Sequence, residues 1–198
     1  SATRAAAFGP AWYSGATTIA FAREVAPSGH VFGIDISGPM LERARQSAPK
    51  DLGIEFALAD ATVYPFAPAS FDVLASRFGV MFFADPALSF ANMRKALRPG
   101  GRMVHIVWRE RTDNPWLSMA KDIVLRFLPP PGEDAQTCGP GPFSMSSETA
   151  VRAMMIAAGY DEIEFRRVDA PVVVGRDVND AIAFQLAIGP AGEVYREA

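Results

Sequence analysis

Apolar and polar positions follow two different periods along the first half of the chain. Short continuous apolar runs, typical of strands buried on both faces, occupy residues 30–35, 54–59, 71–76 and 103–108. Between these runs, apolar residues at helical spacing follow capping residues and predict helices at 17–26, 37–49 and 85–97. This alternation of strand and helix predicts a parallel sheet wrapped by crossover helices.

The second half of the chain has a different pattern. Helices are predicted at 147–158 and 178–188. Residues 163–168 alternate apolar and charged side chains, and residues 171–175 form a second short apolar run. These two runs predict an antiparallel hairpin at the edge of the sheet. We expect one domain over residues 1–198, with its two halves at 14–107 and 108–198.

Composition narrows the classes of function. The chain has 19 Lys+Arg against 22 Asp+Glu, and a net charge of -3 argues against a nucleic-acid binder. One cysteine and two histidines exclude a disulfide framework and a Cys/His zinc site, so no metal is expected. No apolar run reaches the roughly 18 residues that span a bilayer, and no signal peptide is evident. We therefore expect a cytoplasmic protein with no membrane partner, and a homodimer remains open.

Two acids follow predicted strands. Asp35 ends the run at 30–35 and lies twenty residues after Gly15, and Asp60 follows the run at 54–59. The carboxyl ends of parallel strands share one rim of a sheet, where ligands bind, and an acid there can accept hydrogen bonds from ribose hydroxyls. The pair therefore suits a nucleotide-like ligand, although each acid also fits a solvated turn.

Four blocks make the pattern more specific. Gly33-Ile-Asp-Ile-Ser-Gly-Pro-Met-Leu41, Asp60-Ala61, the stretch 71–79 and Leu97-Arg-Pro-Gly-Gly-Arg102 follow one another in register. Together they resemble the successive motifs of class I S-adenosylmethionine-dependent methyltransferases, over roughly residues 14–174. The resemblance is closest to the small-molecule branch related to ubiquinone and menaquinone C-methyltransferases. It implies a three-layer, Rossmann-like α/β fold and S-adenosylmethionine as cofactor, with S-adenosylhomocysteine as product.

The resemblance also implies roles for particular residues. Asp35 would hold the cofactor ribose, Met40 would pack against the adenine, and Asp60 would accept a hydrogen bond from the adenine amine. Met40 and Phe78 fit a core position equally well. The further expected cofactor contacts are Gly15, Ile36, the backbone of Ala61, and, beside the methionine part, Ser76, Arg77 and Phe78.

Methyl transfer needs no nucleophile in the protein, and the chain offers no nucleophile motif. His105 lies among apolar residues and is expected in the core, so we assign no catalytic base. Substrate choice is expected to come from apolar and aromatic residues beyond the sheet, which favour a hydrophobic or ring-bearing small molecule. The candidates are Met81, Phe82, Trp108, Asn114 and Trp116.

The chain departs from the family pattern before Ala16. Gly15 matches the last glycine of the family's glycine loop, but Ala11 and Tyr13 occupy the earlier glycine positions. The stretch from Ala5 to Pro10 lacks β-branched residues, so it is not expected to form the family's central strand. Three explanations are open: residues absent near Trp12, a homologue without cofactor, or a loop that stacks Trp12 and Tyr13 on the ligand. The retained acids favour the first.

The sequence therefore predicts methylation of a small molecule. The alternative is a non-catalytic homologue that uses the same fold as a binding or interaction module, because the glycine loop is altered. A nicotinamide-dependent oxidoreductase shares the acid after the second strand but requires Gly-x-Gly-x-x-Gly, which this chain lacks.

Overall fold

The computed structural model describes residues 2–8, 15–129, 141–188 and 190–197. The chain divides into two compact units. The sheet unit comprises Ser1–Val107 and Gly139–Ile163, and the helical unit comprises Trp108–Cys138 and Glu164–Ala198. Within the described ranges, no helix combines the length and the apolar character needed to cross a membrane.

The elements of the sheet unit alternate as the sequence pattern predicts. Its strands are β1 (Arg4–Phe8), β2 (His30–Asp35), β3 (Ile54–Leu58), β4 (Phe71–Arg77) and β5 (Leu97–Ile106). Its helices are α1 (Ala16–Val25), α2 (Gly38–Ser47), α3 (Pro86–Ala96) and α5 (Glu148–Ala157). The helical unit contains α4 (Pro115–Val124), α6 (Val178–Ile188) and α7 (Pro190–Glu197).

All five strands are parallel, in the order β3-β2-β1-β4-β5. The chain first moves outward from β1 to β3 and then crosses back to β4 and β5. Because crossovers between parallel strands are right-handed, this reversal places α1 and α2 on one face and α3 on the other. The three-layer, Rossmann-like α/β fold is therefore confirmed, and its strand order reverses between β1 and β4.

The expectation that residues 5–10 form no central strand is wrong. β1 lies between β2 and β4, with Ala5 in register with both Val31 and Val73. Its three alanines are buried, and the strand ends at Phe8, before Pro10. Ladder hydrogen bonds on both sides outweigh the low strand propensity of alanine, and the small side chains let Ala22 of α1 pack closely on the strand. Gly9–Ser14, including Trp12 and Tyr13, lie outside the described residues.

The predicted antiparallel hairpin is also wrong. Residues 163–168 and 171–175 are described, and neither run belongs to a strand. Val168 is 70% exposed and Val173 is 77% exposed, so the apolar positions of these runs are not buried. An alternating pattern specifies a strand only where a neighbouring edge and a buried face are available, and neither run has a ladder partner here.

A charged cluster joins three strands at the amino end of the sheet. The backbone N–H of Arg4 in β1 donates to Oδ2 of Asp72 in β4 at 2.7 Å. Arg98 in β5 donates to both carboxylate oxygens of Asp72, at 2.7 and 2.8 Å. The hydrogen bond from Arg4 and then the one from Arg98 lower the pKa of Asp72. This cluster helps fix the register of β1 between its neighbours, at the end of the sheet opposite to Asp35.

Candidate cofactor site

The carboxyl ends of the strands form the rim at which the predicted site residues meet. Asp35 is the last residue of β2, Asp60 follows β3 by two residues, and Arg77 ends β4. In open parallel sheets, ligands bind outside the carboxyl ends, at the point where the strand order reverses. Here that point lies between β1 and β4. Arg77 stands at the reversal, Asp35 is one strand away at the end of β2, and Asp60 follows the edge strand β3 on the same rim.

Asp35 has a carboxylate that the protein satisfies only in part. The side chain is 8% exposed, and its Oδ1 accepts a hydrogen bond from the backbone N–H of Ser37 at 2.8 Å. Its Oδ2 is buried, and no described residue donates to it. A buried acceptor without a partner costs free energy, and a ligand donor at this rim can satisfy this oxygen.

Asp60 repeats this local geometry at the next strand end. Its Oδ1 accepts from the backbone N–H of Thr62 at 2.8 Å, and its backbone carbonyl accepts from Val63 and Tyr64. The Asp60 side chain is exposed, and none of the described residues donates to Oδ2. Both acids therefore use Oδ1 to close a tight turn, and in both Oδ2 accepts from none of the described residues.

A small, partly open cleft with about 20 Å³ of free volume, enough for about one water molecule, lies beside Asp35. Of the predicted cofactor residues, it is lined by Gly15, Asp35 and Met40. The residues that the sequence analysis missed are Ala7, Thr18, Gly33, Ile34, Leu41, Ala44 and Phe56. Gly33 alone carried a signal, since a glycine inside a buried strand marks a close approach of other atoms.

Two glycines of the cleft are required by close packing. Gly15 has φ of +84°, and a Cβ there would lie 2.7 Å from the Cβ of Ala44 in α2. A Cβ on Gly33 would lie 2.7 Å from the ring of Phe56. These glycines bring α1, α2 and β2 together around the cleft, and a larger residue at either position would displace the elements that form it.

The predicted contacts at the end of β4 differ in exposure. Ser76 is buried, and its Oγ accepts from the backbone N–H of Val80 at 3.3 Å. Arg77 and Phe78 are half-buried. Phe78 has φ of +59°, an uncommon value for a non-glycine residue, and its N–H donates to the carbonyl of Ile106 at 2.9 Å. Backbone in this region is typical of functional turns, and here it lies at the strand-order reversal.

The other predicted cofactor contacts do not line the cleft. Ile36 is 74% exposed, directly after Asp35. Ala61 is buried in the turn that follows Asp60, and its carbonyl accepts from the Asn92 side chain. Both remain predictions. Among the described residues, no group of three or more His, Cys, Asp or Glu side chains could hold a metal ion.

The predicted substrate residues belong to both units: Met81 and Phe82 to the sheet unit, and Trp108, Asn114 and Trp116 to the helical unit. In the sheet unit, Met81 is 1% exposed and belongs to the core, whereas Phe82 is half-buried. In the helical unit, the Trp116 ring lies 5.6 Å from that of Trp108. Asn114 is buried and donates to the carbonyls that precede α4, so its amide is engaged in closing a turn.

Two further residues surround Trp116 in the helical unit and were not predicted. The ring of Phe184 lies 6.3 Å away, and Gln185 Nε2 donates to the Trp116 carbonyl at 3.0 Å. Both belong to α6, for which the sequence predicted a helix over 178–188 and no role. No signal in the sequence links α6 to Trp116, because their approach depends on the tertiary fold.

His105 is half-buried in β5. Its ring lies 5.8 Å from that of Phe90, a fully buried residue of α3. Its Nδ1 is buried, without a partner among the described residues, and burial lowers the pKa of His105. A neutral imidazole packed on an aromatic ring is consistent with a core histidine, and we assign no catalytic base.

The residues present fit an adenosine-type cofactor. The Asp35 Oδ2, which accepts from no described residue, can accept from a ribose hydroxyl, and the carboxylate of the exposed Asp60 can accept from an exocyclic amine. Close packing at Gly15 and Gly33 leaves a cleft beside the first of these acids. The donor and acceptor chemistry of the rim therefore agrees with the motifs identified in the sequence.

Comparison with known proteins supports this assignment. A family model described as a methyltransferase domain matches residues 12–105. The chain resembles the class I methyltransferases. It is 42% identical over 83 residues to the demethylmenaquinone methyltransferase of Deinococcus radiodurans, covering 41% of this chain and 34% of that protein. It is 37% identical over 113 residues to the ubiquinone/menaquinone biosynthesis C-methyltransferase UbiE of Hahella chejuensis, covering 56% and 45%.

Solved structures support the methyltransferase fold. A SAM-dependent methyltransferase from Aquifex aeolicus superimposes with a TM-score of 0.58 at 16% identity, covering 80% of this chain and 72% of that chain. At this identity the likeness shows the fold alone. The chain spans less than half of the length of the two curated methyltransferases named above. The resemblance predicted from the sequence motifs is confirmed.

Proposed function

We propose that this chain binds S-adenosylmethionine and transfers its methyl group to a small, hydrophobic or ring-bearing molecule. The observation that carries the proposal is the buried Asp35 Oδ2 at the carboxyl end of β2, which has no donor among the described residues. The match to a methyltransferase domain over residues 12–105 supports the same cofactor. The names of the two curated relatives support a small quinone-type acceptor.

The roles of the chain's own residues follow from their positions. Asp35 holds the ribose through Oδ2, while the Ser37 N–H keeps Oδ1 and the carboxylate plane in place. Asp60 presents Oδ2 to the adenine amine, and Met40 borders the cleft beside the acid of β2. When bound, S-adenosylmethionine would supply a methyl group that is already activated on a sulfonium. The protein then needs to orient the reactants and exclude water, and it needs no nucleophile of its own.

The proposed choice of methyl acceptor rests on aromatic residues of the helical unit. In the helical unit, Trp108, Trp116 and Phe184 bring three aromatic rings within 6.3 Å of their neighbours. Aromatic surfaces of this kind suit a flat apolar ring better than a flexible polar chain. We expect these residues to select a ring-bearing acceptor.

The test is calorimetric titration of the purified chain, at verified intact mass, with S-adenosylhomocysteine. We expect a single site with micromolar affinity. Transfer of a labelled methyl group to a panel of hydroquinones and phenols, with a peptide and an oligonucleotide as comparison acceptors, then tests the substrate class. A folded chain that does not bind S-adenosylhomocysteine would overturn the enzyme proposal in favour of the non-catalytic module. Binding with transfer only to the macromolecules would overturn the small-molecule acceptor.

A further inference from the structure

The turn that carries Asp60 is tied to α3, a helix far away in the sequence. Asn92 lies in this helix, on the crossover between β4 and β5. Its Nδ2 donates to the carbonyl of Ala61 at 3.1 Å and to the carbonyl of Tyr64 at 3.0 Å. One amide group therefore bridges both ends of the turn at 61–64, and both of its hydrogens can be used.

A second contact joins α3 to the same turn. The hydroxyl oxygens of Thr62 and Ser89 lie 2.9 Å apart, and Ser89 is fully buried. Ser89 also donates to the backbone carbonyl of Asp85 at 2.7 Å. Because a serine hydroxyl has a single hydrogen, Thr62 is the donor in the contact with Ser89. The Ser89 oxygen therefore accepts a hydrogen bond from the Thr62 hydroxyl, one helical turn before Asn92.

These contacts do something that the turn cannot do for itself. The internal hydrogen bonds from Thr62, Val63 and Tyr64 to Asp60 fix the shape of the turn. They do not fix the position of residues 61–64 on the sheet. The N–H of Ala59 donates to the carbonyl of Asp35 at 3.0 Å and holds the residue before Asp60 to the end of β2, but the turn continues beyond that bond. The bonds to α3 supply that position, since α3 is anchored by the buried residues Phe90 and Met93.

We propose that Asn92 and Ser89 are positioning residues that hold the Asp60–Ala61 turn at the location where it recognises the exocyclic amine of a 6-aminopurine. The inference rests on the proposed function, because it assigns the purine-reading role to Asp60. It adds a residue pair that does not touch the cofactor and lies in a different crossover from the turn. Specificity for the purine base is then set by the contact between the turn and α3, as well as by Asp60.

The decisive experiment compares two ligands on Asn92→Ala. The ligands are S-adenosylhomocysteine and its analogue with purine in place of adenine, which lacks the amine. Loss of the two hydrogen bonds should raise the Kd for S-adenosylhomocysteine about tenfold. For the purine analogue we expect less than about a threefold change, because the group that Asp60 reads is already absent. A variant that merely destabilises the fold would weaken both ligands by the same factor.

Two further variants separate positioning from stability. Thr62→Val removes the hydroxyl that reaches Ser89 but keeps the shape of the side chain, and we expect a smaller loss of about threefold for the adenine ligand. Lys95→Ala is the matched control, since Lys95 is an exposed residue of α3 whose side chain makes no described contact with the turn. We expect its affinities for both ligands to equal those of the wild type. Thermal unfolding of each variant confirms that it is folded at the titration temperature.

The outcomes separate this inference from the proposed function. If the wild type binds S-adenosylhomocysteine and Asn92→Ala binds it equally well, only the positioning role is overturned. Equal losses for both ligands would also overturn it. If the folded wild type binds neither ligand, the proposed function fails first.

Discussion

Asp35→Asn is the substitution that separates a ligand acceptor from a structural carboxylate most directly. The amide keeps one oxygen, which can continue to accept from the Ser37 N–H at the 2.8 Å distance seen here. The nitrogen then replaces Oδ2, the buried oxygen without a donor among the described residues. The change therefore converts the free acceptor into a donor, removes one charge and leaves the volume of the side chain the same.

The structure predicts a large loss of affinity and little loss of stability. A hydrogen bond to a charged acceptor contributes about 1.5–3 kcal/mol, which corresponds to a loss of roughly 10- to 150-fold in affinity for S-adenosylhomocysteine. The unliganded protein loses no partner of Oδ2, and it no longer buries a charge that is 8% exposed. We therefore expect the free energy of unfolding to fall by less than about 1 kcal/mol, or to rise.

The assay pairs calorimetric titration with urea unfolding monitored by circular dichroism. Asp51→Asn serves as the control, because Asp51 is an exposed acid in the turn before β3 and should leave both quantities unchanged. If Asp35→Asn binds S-adenosylhomocysteine as tightly as the wild type, Asp35 is not in the site. If it lowers stability by more than about 2 kcal/mol and affinity only in proportion, Asp35 is a structural residue.

Three other predictions concern the Asp60 turn, the cleft and the charged cluster around Asp72. Asp60→Ala should weaken binding of S-adenosylhomocysteine. It should weaken binding of the purine analogue little beyond the loss that the missing amine itself causes. If calorimetry shows that the losses from the substitution and from the missing amine are additive, Asp60 does not contact the amine. Gly15→Ala should lower the free energy of unfolding by about 1–3 kcal/mol more than Gly100→Ala, because both have positive φ but only Gly15 faces an atom within 4 Å; equal urea midpoints would contradict this. Asp72→Asn should destabilise the protein at neutral pH. Since hydrogen bonds from Arg4 and Arg98 lower the pKa of Asp72, its contribution is complete above about pH 4 and is lost as the pH falls through that lowered pKa. If the wild type and Asp72→Asn differ in urea unfolding at about pH 2 as much as at neutral pH, the ionised Asp72 carboxylate does not stabilise the protein.

Several elements could be predicted from the sequence because their signals are local. β2 and α6 match the predicted ranges at both ends, and α3 begins as the Asp85-Pro86 pair predicts, with Asp85 accepting from the Leu88 N–H at 2.9 Å. The position of Asp35 at a strand end was predicted in the same way, from the one apolar run that precedes it. Caps, prolines and apolar runs act within a few residues, so they can be recognised from the sequence alone.

Other features depend on which segments meet. β1 has the composition of a helix or a loop, and it is a central strand because β2 and β4 supply ladder partners on both sides. Residues 163–175 have the composition of strands, and they form none because no described segment pairs with them. In both segments, pairing with a distant segment determines whether a strand forms. The residue pattern of one segment gives no information about that pairing.

The sequence by itself determined the alternation of strands and helices, the two acids at strand ends and the motifs shared with class I methyltransferases. The tertiary structure decided that α1 and α2 close on a cleft beside Asp35, and that Asn92 of α3 bridges Ala61 and Tyr64 of the Asp60 turn. The physical reason is that each local signal acts over one turn or one strand. The position of the Asp60 turn is set by hydrogen bonds and packing between residues about 30 positions apart.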